Sequence, residues 1–404
     1  MKIALYNHTG EVSGAEVNLL MTAAYMSRVE PILFAPEGEL LRRAGDAGLA
    51  TVPLRSARAR LSRNPIMLAR DAGRMLGAGW RFAREVKKHS VDAVHANSVR
   101  AGLMASLFRW HHRLPVIWHL HDMPPKGPVG WLIKLVALAA ARSLIAISRP
   151  VADGMELAGL RSRIRLVHNG TVVQETSAAD KQRRRKHIRE ELQTPENGFV
   201  FAIVGQIARW KRQEDAILAA AVLIEQGHDI YLWVVGEPKF RSENGRYWEE
   251  LKAMAAERNL EGRIRFTGFH DQVDDICCAA DSLLLCSENE PFGRVIIEAM
   301  AQGTPVIATD GGGVPDIIEH GITGLLYETG NIDELVYYAC ELLEDPLFRR
   351  TLGERGKERV RTAFSIEQAA SKVEAVYEES CLQQLEAALG SDVPEAERAR
   401  GIAK

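Results

Sequence analysis

Two doubly wound parallel sheets, in an α/β chain of two domains facing each other across a cleft, are the architecture this sequence predicts. Three observations predict it. Short apolar runs with strand character alternate with helical runs along the chain, the signature of parallel sheets covered by helices on both faces. These runs fall into two series, separated by a polar and strongly basic segment from Gln174 to Asn197. The charge also changes sign along the chain. Residues 1–189 carry 30 Lys and Arg against 14 Asp and Glu, a net of +16, whereas residues 190–404 carry 21 against 39, a net of −18. A basic half joined to an acidic half suggests two domains with different partners.

The first series of strands opens with Lys2 to Tyr6, too short an apolar run for a signal peptide. It continues with Pro31 to Phe34, Ala93 to His95, Val116 to His119, Ser143 to Ile147 and Arg165 to Val167. The run from Gly130 to Ile147 approaches the length of a membrane span, but Lys134 and Arg142 interrupt it, so it reads as a buried helix followed by a strand. The stretch Lys181-Gln-Arg-Arg-Arg-Lys186 has the look of a basic localisation signal. It continues helically into Arg189-Glu-Glu-Leu192, which predicts a solvated linker helix. The second series begins at Phe199 and includes Tyr231 to Val235, Ile264 to Phe266, Ser282 to Cys286 and Val306 to Ala308. Domains at 1–175 and 198–363 follow, with ligands expected at the carboxyl ends of the strands.

At 404 residues and 46% hydrophobic content, the chain can fill two cores. Its five cysteines lie in the second half with no Cys-x-x-Cys spacing, which suggests reduced thiols in a cytoplasmic protein and neither a disulfide frame nor a zinc site. Between Arg55 and Lys88 many arginines are interleaved with apolar residues such as Leu76, Trp80 and Phe82. That pattern predicts peripheral contact of the basic domain with an anionic membrane surface on its cytoplasmic face. No nucleic-acid partner is expected.

The most informative stretch is Ser287-Glu-Asn-Glu-Pro-Phe-Gly-Arg-Val-Ile-Ile-Glu-Ala-Met300. An apolar strand precedes it, and a helix and a second strand ending in glycines follow. Glu290 is thus placed on a loop at a strand's carboxyl end, and Glu298 about two turns into the next helix. Between them the Pro-Phe-Gly turn presents the N–H groups that open the helix, and such groups attract phosphate. An acid suited to a ribose diol, a phosphate seat and an acid suited to a sugar hydroxyl in one strand–loop–helix unit describe a site for a nucleotide-activated sugar.

From Ser287 to Leu326 the chain resembles the signature of the retaining family 4 glycosyltransferases, through Pro-Phe-Gly, Glu-Ala-Met, Gly-Thr-Pro-Val-Ile-Ala and Gly-Ile-Thr-Gly-Leu-Leu. The resemblance implies the glycosyltransferase-B fold of two Rossmann-like domains. It also implies a helix near 364–380 returning to the first domain, ahead of a polar tail at 381–404. The implied reaction transfers a sugar from a UDP- or GDP-sugar to a glycan or lipid-linked acceptor hydroxyl, with retention of configuration, as in cell-surface glycan or glycolipid synthesis.

The resemblance also assigns roles. Glu298 would hold the ribose. Glu290 would contact the donor sugar and bear the charge that develops on it. His121, in Trp118-His-Leu-His-Asp122, would face the transferred sugar, with His119 structural. Lys211, in Val204-Gly-Gln-Ile-Ala-Arg-Trp-Lys-Arg-Gln213, would hold the diphosphate together with N–H groups near Phe292, Gly293, Arg294, Val295 and Ile296. Gln206 stands where the family has an arginine, and Arg209 is the candidate to compensate from the same loop. Gly236, Gly268 and Phe269 are donor-side candidates, the last two beside the base. Gly14, in a loosely matching glycine-rich loop, would allow close approach of ligand. Neither an Asp-x-Asp clamp nor a dinucleotide fingerprint is present, so no metal and no cofactor are expected. The alternatives are a catalytically inactive nucleotide-sugar-binding or partner protein, suggested by Gln206, and an epimerase or phosphorylase of the same fold.

Overall fold

A computed structural model describes residues 1–55, 65–239 and 241–389. The chain divides into two compact units, one formed by Met1–Asn169 with the segment from Ile366 onward, the other by Gly170–Ser365.

The first unit is a seven-stranded parallel sheet. Its strands are β1 (Lys2–Tyr6), β2 (Glu30–Pro36), β3 (Ala50–Leu54), β4 (Ala93–Ala96), β5 (Val116–Leu120), β6 (Ala141–Ala146) and β7 (Ile164–Leu166), in the order β3-β2-β1-β4-β5-β6-β7. The order reverses between β1 and β4, which pair from Ile3 with Ala93 to Tyr6 with Ala96. Chain leaving these two adjacent strands runs in opposite directions across the sheet, and the crevice so opened is where doubly wound folds place ligands. Asn7 and Asn97 stand directly after the two strands. Strand β3, which the apolar pattern does not reveal, is a partly exposed edge strand that carries Pro53 where an edge tolerates it.

The second unit is a six-stranded parallel sheet of β8 (Phe199–Val204), β9 (Ile230–Val235), β10 (Ile264–Gly268), β11 (Ser282–Leu285), β12 (Val306–Thr309) and β13 (Leu325–Tyr327). Its order is β10-β9-β8-β11-β12-β13. Its switch point lies between β8 and β11, paired through Leu284 and Ile203. Leu232, Val234, Leu284 and Ile307 belong to a core closed by helix 213–225 and helix 332–344, so the central strands read as unbroken apolar runs.

Three expectations need correction. The basic segment before Asn197 is helical as expected, but it is part of a unit and not a linker, and it is not solvated throughout. It forms helix Ala178–Glu191 of the second unit, and Arg189 within it is 1% exposed. The Arg189 guanidinium donates to the Asp281 carboxylate at 2.7 Å and to the carbonyls of Pro195, Glu196 and Gly198, which satisfies a charge that burial alone would penalise. The returning helix runs from Ile366 to Leu389, beyond the expected start of the polar tail, and residues 390–404 lie outside the described residues. It belongs to the first unit, where Val373, Val376 and Tyr377 join the core and the buried Glu374 accepts from the backbone N–H groups of Ser27 and Arg28. Finally, Phe82 cannot face a membrane, because it is fully buried and stacks on Tyr6 with ring centroids 3.9 Å apart. Trp80 of the same helix stacks on Trp110, which is 68% exposed, and residues 56–64 of the basic segment lie outside the described residues. Among the described residues no helix is long and apolar enough to cross a membrane.

Candidate active site

Lys211 and Glu290 meet at the switch point of the second unit. Lys211 closes the short 3-10 turn Arg209–Lys211 after β8, and Glu290 stands on the loop after β11. The Lys211 ammonium donates to the Glu290 carboxylate at 2.6 Å, and their side chains are 16% and 10% exposed. The ammonium also lies over the Trp210 ring, 4.3 Å from its centre.

The loop carrying Glu290 is held by its backbone. The N–H of Glu288 donates to the Trp210 carbonyl at 2.7 Å, Thr309 donates to the Ser287 carbonyl at 2.7 Å, and the N–H of Gly313 donates to the Glu290 carbonyl at 2.7 Å. Gly312 has φ +59°, and a Cβ there would stand 2.1 Å from the Glu290 carbonyl oxygen. The triple glycine after β12 thus lets the two loops touch, which fixes Glu290 against Lys211.

Helix Arg294–Gln302 opens at Gly293, which has φ +97°. Glu298 is its fifth residue, little more than one turn inside and not two as expected. Its carboxylate accepts from Arg294 at 2.7 Å, one turn earlier. Phe292 and Ile296 are core side chains, and the N–H of Ile296 is committed to the Gly293 carbonyl at 2.9 Å. Whatever this turn contributes to a ligand would therefore come from its backbone and not from these two side chains.

Arg209, the candidate to compensate for Gln206, has a partner at the surface. Its guanidinium pairs with Glu250 and lies over the Tyr247 ring, 5.2 Å from its centre. Gln206 serves the scaffold, donating from its side chain to the Lys239 carbonyl at 3.0 Å and accepting at its own carbonyl from Gln213. Gly236 is demanded by packing, since a Cβ would lie 1.9 Å from the Gly205 carbonyl oxygen. Gly268 has φ +73°, and Phe269 after it is half exposed with the Lys239 ammonium 4.3 Å above its ring.

Sequence reasoning missed Asp274. It lies in the first turn of helix Val273–Ala279, and burial, followed by the negative field of Glu298 and then of Asp275, pushes its carboxyl up to about 6. The sequence gives no signal for this, because the two acids lie 24 positions apart.

In the first unit His121 follows β5, buried, with Nε2 2.7 Å from Oδ1 of Asn97. His119 is fully buried beside it, and its pKa is lowered well below the ordinary range by burial and by the neighbouring His121 and His95. Gly14 opens helix Gly14–Ala24, and a Cβ there would meet nothing, so packing does not demand this glycine. The constrained glycine of that loop is Gly10, whose Cβ would stand 2.7 Å from the Pro36 carbonyl oxygen.

Two family models match, one described as Glycosyltransferase Family 4 over residues 12–175 and one described as Glycosyl transferases group 1 over residues 184–359. The chain belongs to glycosyltransferase family 4. Among its family relatives, the N-acetyl-alpha-D-glucosaminyl L-malate synthase of Bacillus anthracis is 32% identical over 47% of this chain. The match spans only 48% of that enzyme's own length. The D-inositol 3-phosphate glycosyltransferase of Corynebacterium glutamicum is 27% identical over 92% of this chain and 93% of its own. Among solved structures, Anabaena HepE in complex with UDP and glucose superposes with a TM-score of 0.81 at 23% identity, over 94% of this chain and 99% of that one. This likeness shows the glycosyltransferase-B fold of two Rossmann-like domains.

Proposed function

We propose that this family 4 member is a retaining glycosyltransferase that moves a sugar from a nucleoside diphosphate sugar to an acceptor hydroxyl. The observation that carries the reading is the Lys211–Glu290 pair at the switch point of the second unit. An ammonium has three donors, so Lys211 can keep Glu290 and still reach a phosphate oxygen. Charge that builds on the departing diphosphate then meets Lys211 and the first-turn N–H groups of Arg294 and Val295. Glu290 bears the positive charge that develops on the sugar ring, and Glu298, steadied by Arg294, takes the ribose diol. His121 positions the transferred sugar. Gly14, with open space above it, lets ligand approach the backbone, and Gly268 with Phe269 lies beside the base. The leaving phosphate acts as the base in a front-face displacement. No metal and no cofactor are required, because lysine and helix N–H groups neutralise the diphosphate.

The relatives support the donor class and the kind of acceptor. HepE was solved with UDP-glucose as well as with UDP, and LpsD and LpsE of Rhizobium meliloti are lipopolysaccharide core glycosyltransferases. We take the acceptor to be a glycan or lipid-linked hydroxyl of a cell-surface polymer, met by a cytoplasmic enzyme that binds anionic membrane peripherally. Exposed Trp110, Trp131 and Leu132 in the basic first unit suit that contact.

Thermal denaturation with UDP- and GDP-sugars tests the donor, since a ligand bound only to the native state raises the midpoint by mass action. A bound donor that is then hydrolysed or transferred supports the enzyme. Donor binding without turnover, over a panel of acceptors, leaves a sugar-nucleotide-binding protein. No midpoint shift with any nucleotide sugar refutes the reading.

A further inference from the structure

A directed chain of hydrogen bonds ends on His121 in the first unit. It begins at Glu16, in the first turn of helix Gly14–Ala24, whose carboxylate accepts from the Ser13 N–H at 3.0 Å and from Nδ2 of Asn7 at 3.2 Å. Asn7 Nδ2 also donates to the Thr9 carbonyl at 2.8 Å. With its nitrogen facing two acceptors that carry no hydrogen, Asn7 must turn its oxygen the other way, and Oδ1 accepts from Nδ2 of Asn97 at 3.1 Å. The same Asn97 nitrogen faces the Ala15 carbonyl at 3.5 Å. Asn97 therefore presents Oδ1, an acceptor, to Nε2 of His121 at 2.7 Å. Asn7 and Asn97 are fully buried, and Glu16 and His121 are buried, so the links lie away from bulk solvent. Amide orientation is settled by the network in such a case, and here every link points the same way.

We infer that Asn97 is a positioning residue that holds a proton on Nε2 of His121, with Asn7 and Glu16 setting the direction of the hold. Asn97 does so from the end of β4, across the switch point from β1. In the neutral ring the other nitrogen, Nδ1, is then the accepting one. It matches a partner that donates, such as a sugar hydroxyl, and mismatches a phosphate or carboxylate oxygen. The second face of the ring is braced in the same unit. His119 lies against it with centroids 4.2 Å apart, His119 Nδ1 is 3.3 Å from His95 Nε2, and Tyr377 meets His95 Nδ1 at 2.7 Å. This inference rests on the proposed role of His121 toward the donor sugar, but its test does not.

The test is ¹⁵N spectroscopy of histidine-labelled full-length protein, with His121 assigned by its loss in His121→Gln. The expected spectrum has a protonated Nε2 and an unprotonated Nδ1. A proton on Nδ1 of the neutral ring would overturn the inference. Asn97→Asp keeps the acceptor oxygen and should keep Nε2 protonated, whereas Asn97→Leu removes it and should release the ring to the other tautomer. An unchanged His121 signal in Asn97→Leu, or an unprotonated Nε2 in Asn97→Asp, would also overturn it. If Asn97→Leu does not fold, the wild-type and Asn97→Asp spectra still decide. Once a donor is identified, Asn97→Leu should lower turnover about tenfold or more, with Asn97→Asp restoring part of the loss and UDP affinity unchanged. The tautomer can be found as stated in a protein that transfers nothing, in which case the proposed function alone fails.

Discussion

Replacing Glu290 by Gln separates an interaction made in the transition state from one made throughout. The change preserves shape and leaves an oxygen facing the Lys211 ammonium, now at an amide and not at the carboxylate 2.6 Å away. Removing one partner of a fully buried pair costs about 3–5 kcal/mol. Here the side chains retain 10–16% exposure and an acceptor remains, so a cost nearer that of a hydrogen bond to a charged group, about 1.5–3 kcal/mol, is expected. The thermal midpoint should then fall by roughly 3–12 °C, at about 2–4 °C per kcal/mol for a unit of this size. Turnover should fall further. The lost charge is needed only as the sugar becomes positive, and removing one such electrostatic element costs about 10²–10³ in kcat. Nucleotide affinity, by contrast, should stay close to wild type. In Glu298→Ala the pattern inverts, because ribose contacts worth about 1.5–3 kcal/mol vanish from ground and transition states alike. That loss weakens Kd by about 10- to 150-fold. Calorimetry with UDP and GDP beside turnover of the matching donor measures both variants. The reasoning is refuted if Glu290→Gln loses nucleotide affinity while Glu298→Ala keeps it, or if neither change matters.

Three further outcomes are expected. Asp274, with its carboxyl raised to about 6, stabilises the fold in its protonated form. That share is complete below about pH 4 and is lost as the pH rises through about 6. Wild type should therefore lose thermal stability relative to Asp274→Asn between those values, and a constant difference between the two would remove Asp274 as the titrating group. Transfer should survive EDTA, since Lys211 and helix N–H groups do the work of an ion; abolition by the chelator with rescue by magnesium or manganese would show the contrary. Binding to anionic liposomes should be salt-sensitive at about 1 kcal/mol per basic residue near the surface and should weaken in Trp110→Ala, and equal binding to neutral liposomes would contradict it.

The sequence reveals long buried strands most plainly, and it also reveals the partly exposed β7 and β10. Central strands such as β1, β8 and β9 are apolar on both faces and stand out. Edge strand β3 carries Thr51 and Pro53 on partly exposed backbone, and β13 has only three residues. Helix Ala178–Glu191 is legible as a helix, but the burial of Arg189 is not, because a run of arginines reads as solvated unless the acceptors are known, and those of Arg189 lie up to 92 positions away. In the candidate site, Glu290, Glu298, Lys211 and His121 are legible one by one from their places after strands and within turns. Their partnerships are not. Lys211 with Glu290 spans 79 positions and His121 with Asn97 spans 24, and nothing local encodes either distance. The pairing of Arg209 with Glu250 is hidden for the same reason, since Glu250, on the next helix but one, is invisible to spacing within a loop.

The helix from Ile366 to Leu389 gives the order of events during synthesis an unusual form. The first unit supplies the chain's opening 169 residues, but its core is closed by Val373, Val376 and Tyr377, which leave the ribosome after the whole second unit. Until then the backbone donors of Ser27 and Arg28 have no Glu374 to meet, and His95 has no Tyr377. The domain translated first is thus the one completed last. A nascent chain stalled anywhere before residue 366 carries an uncovered apolar face on its first unit while the second unit can already be whole, and such a face is prone to aggregation.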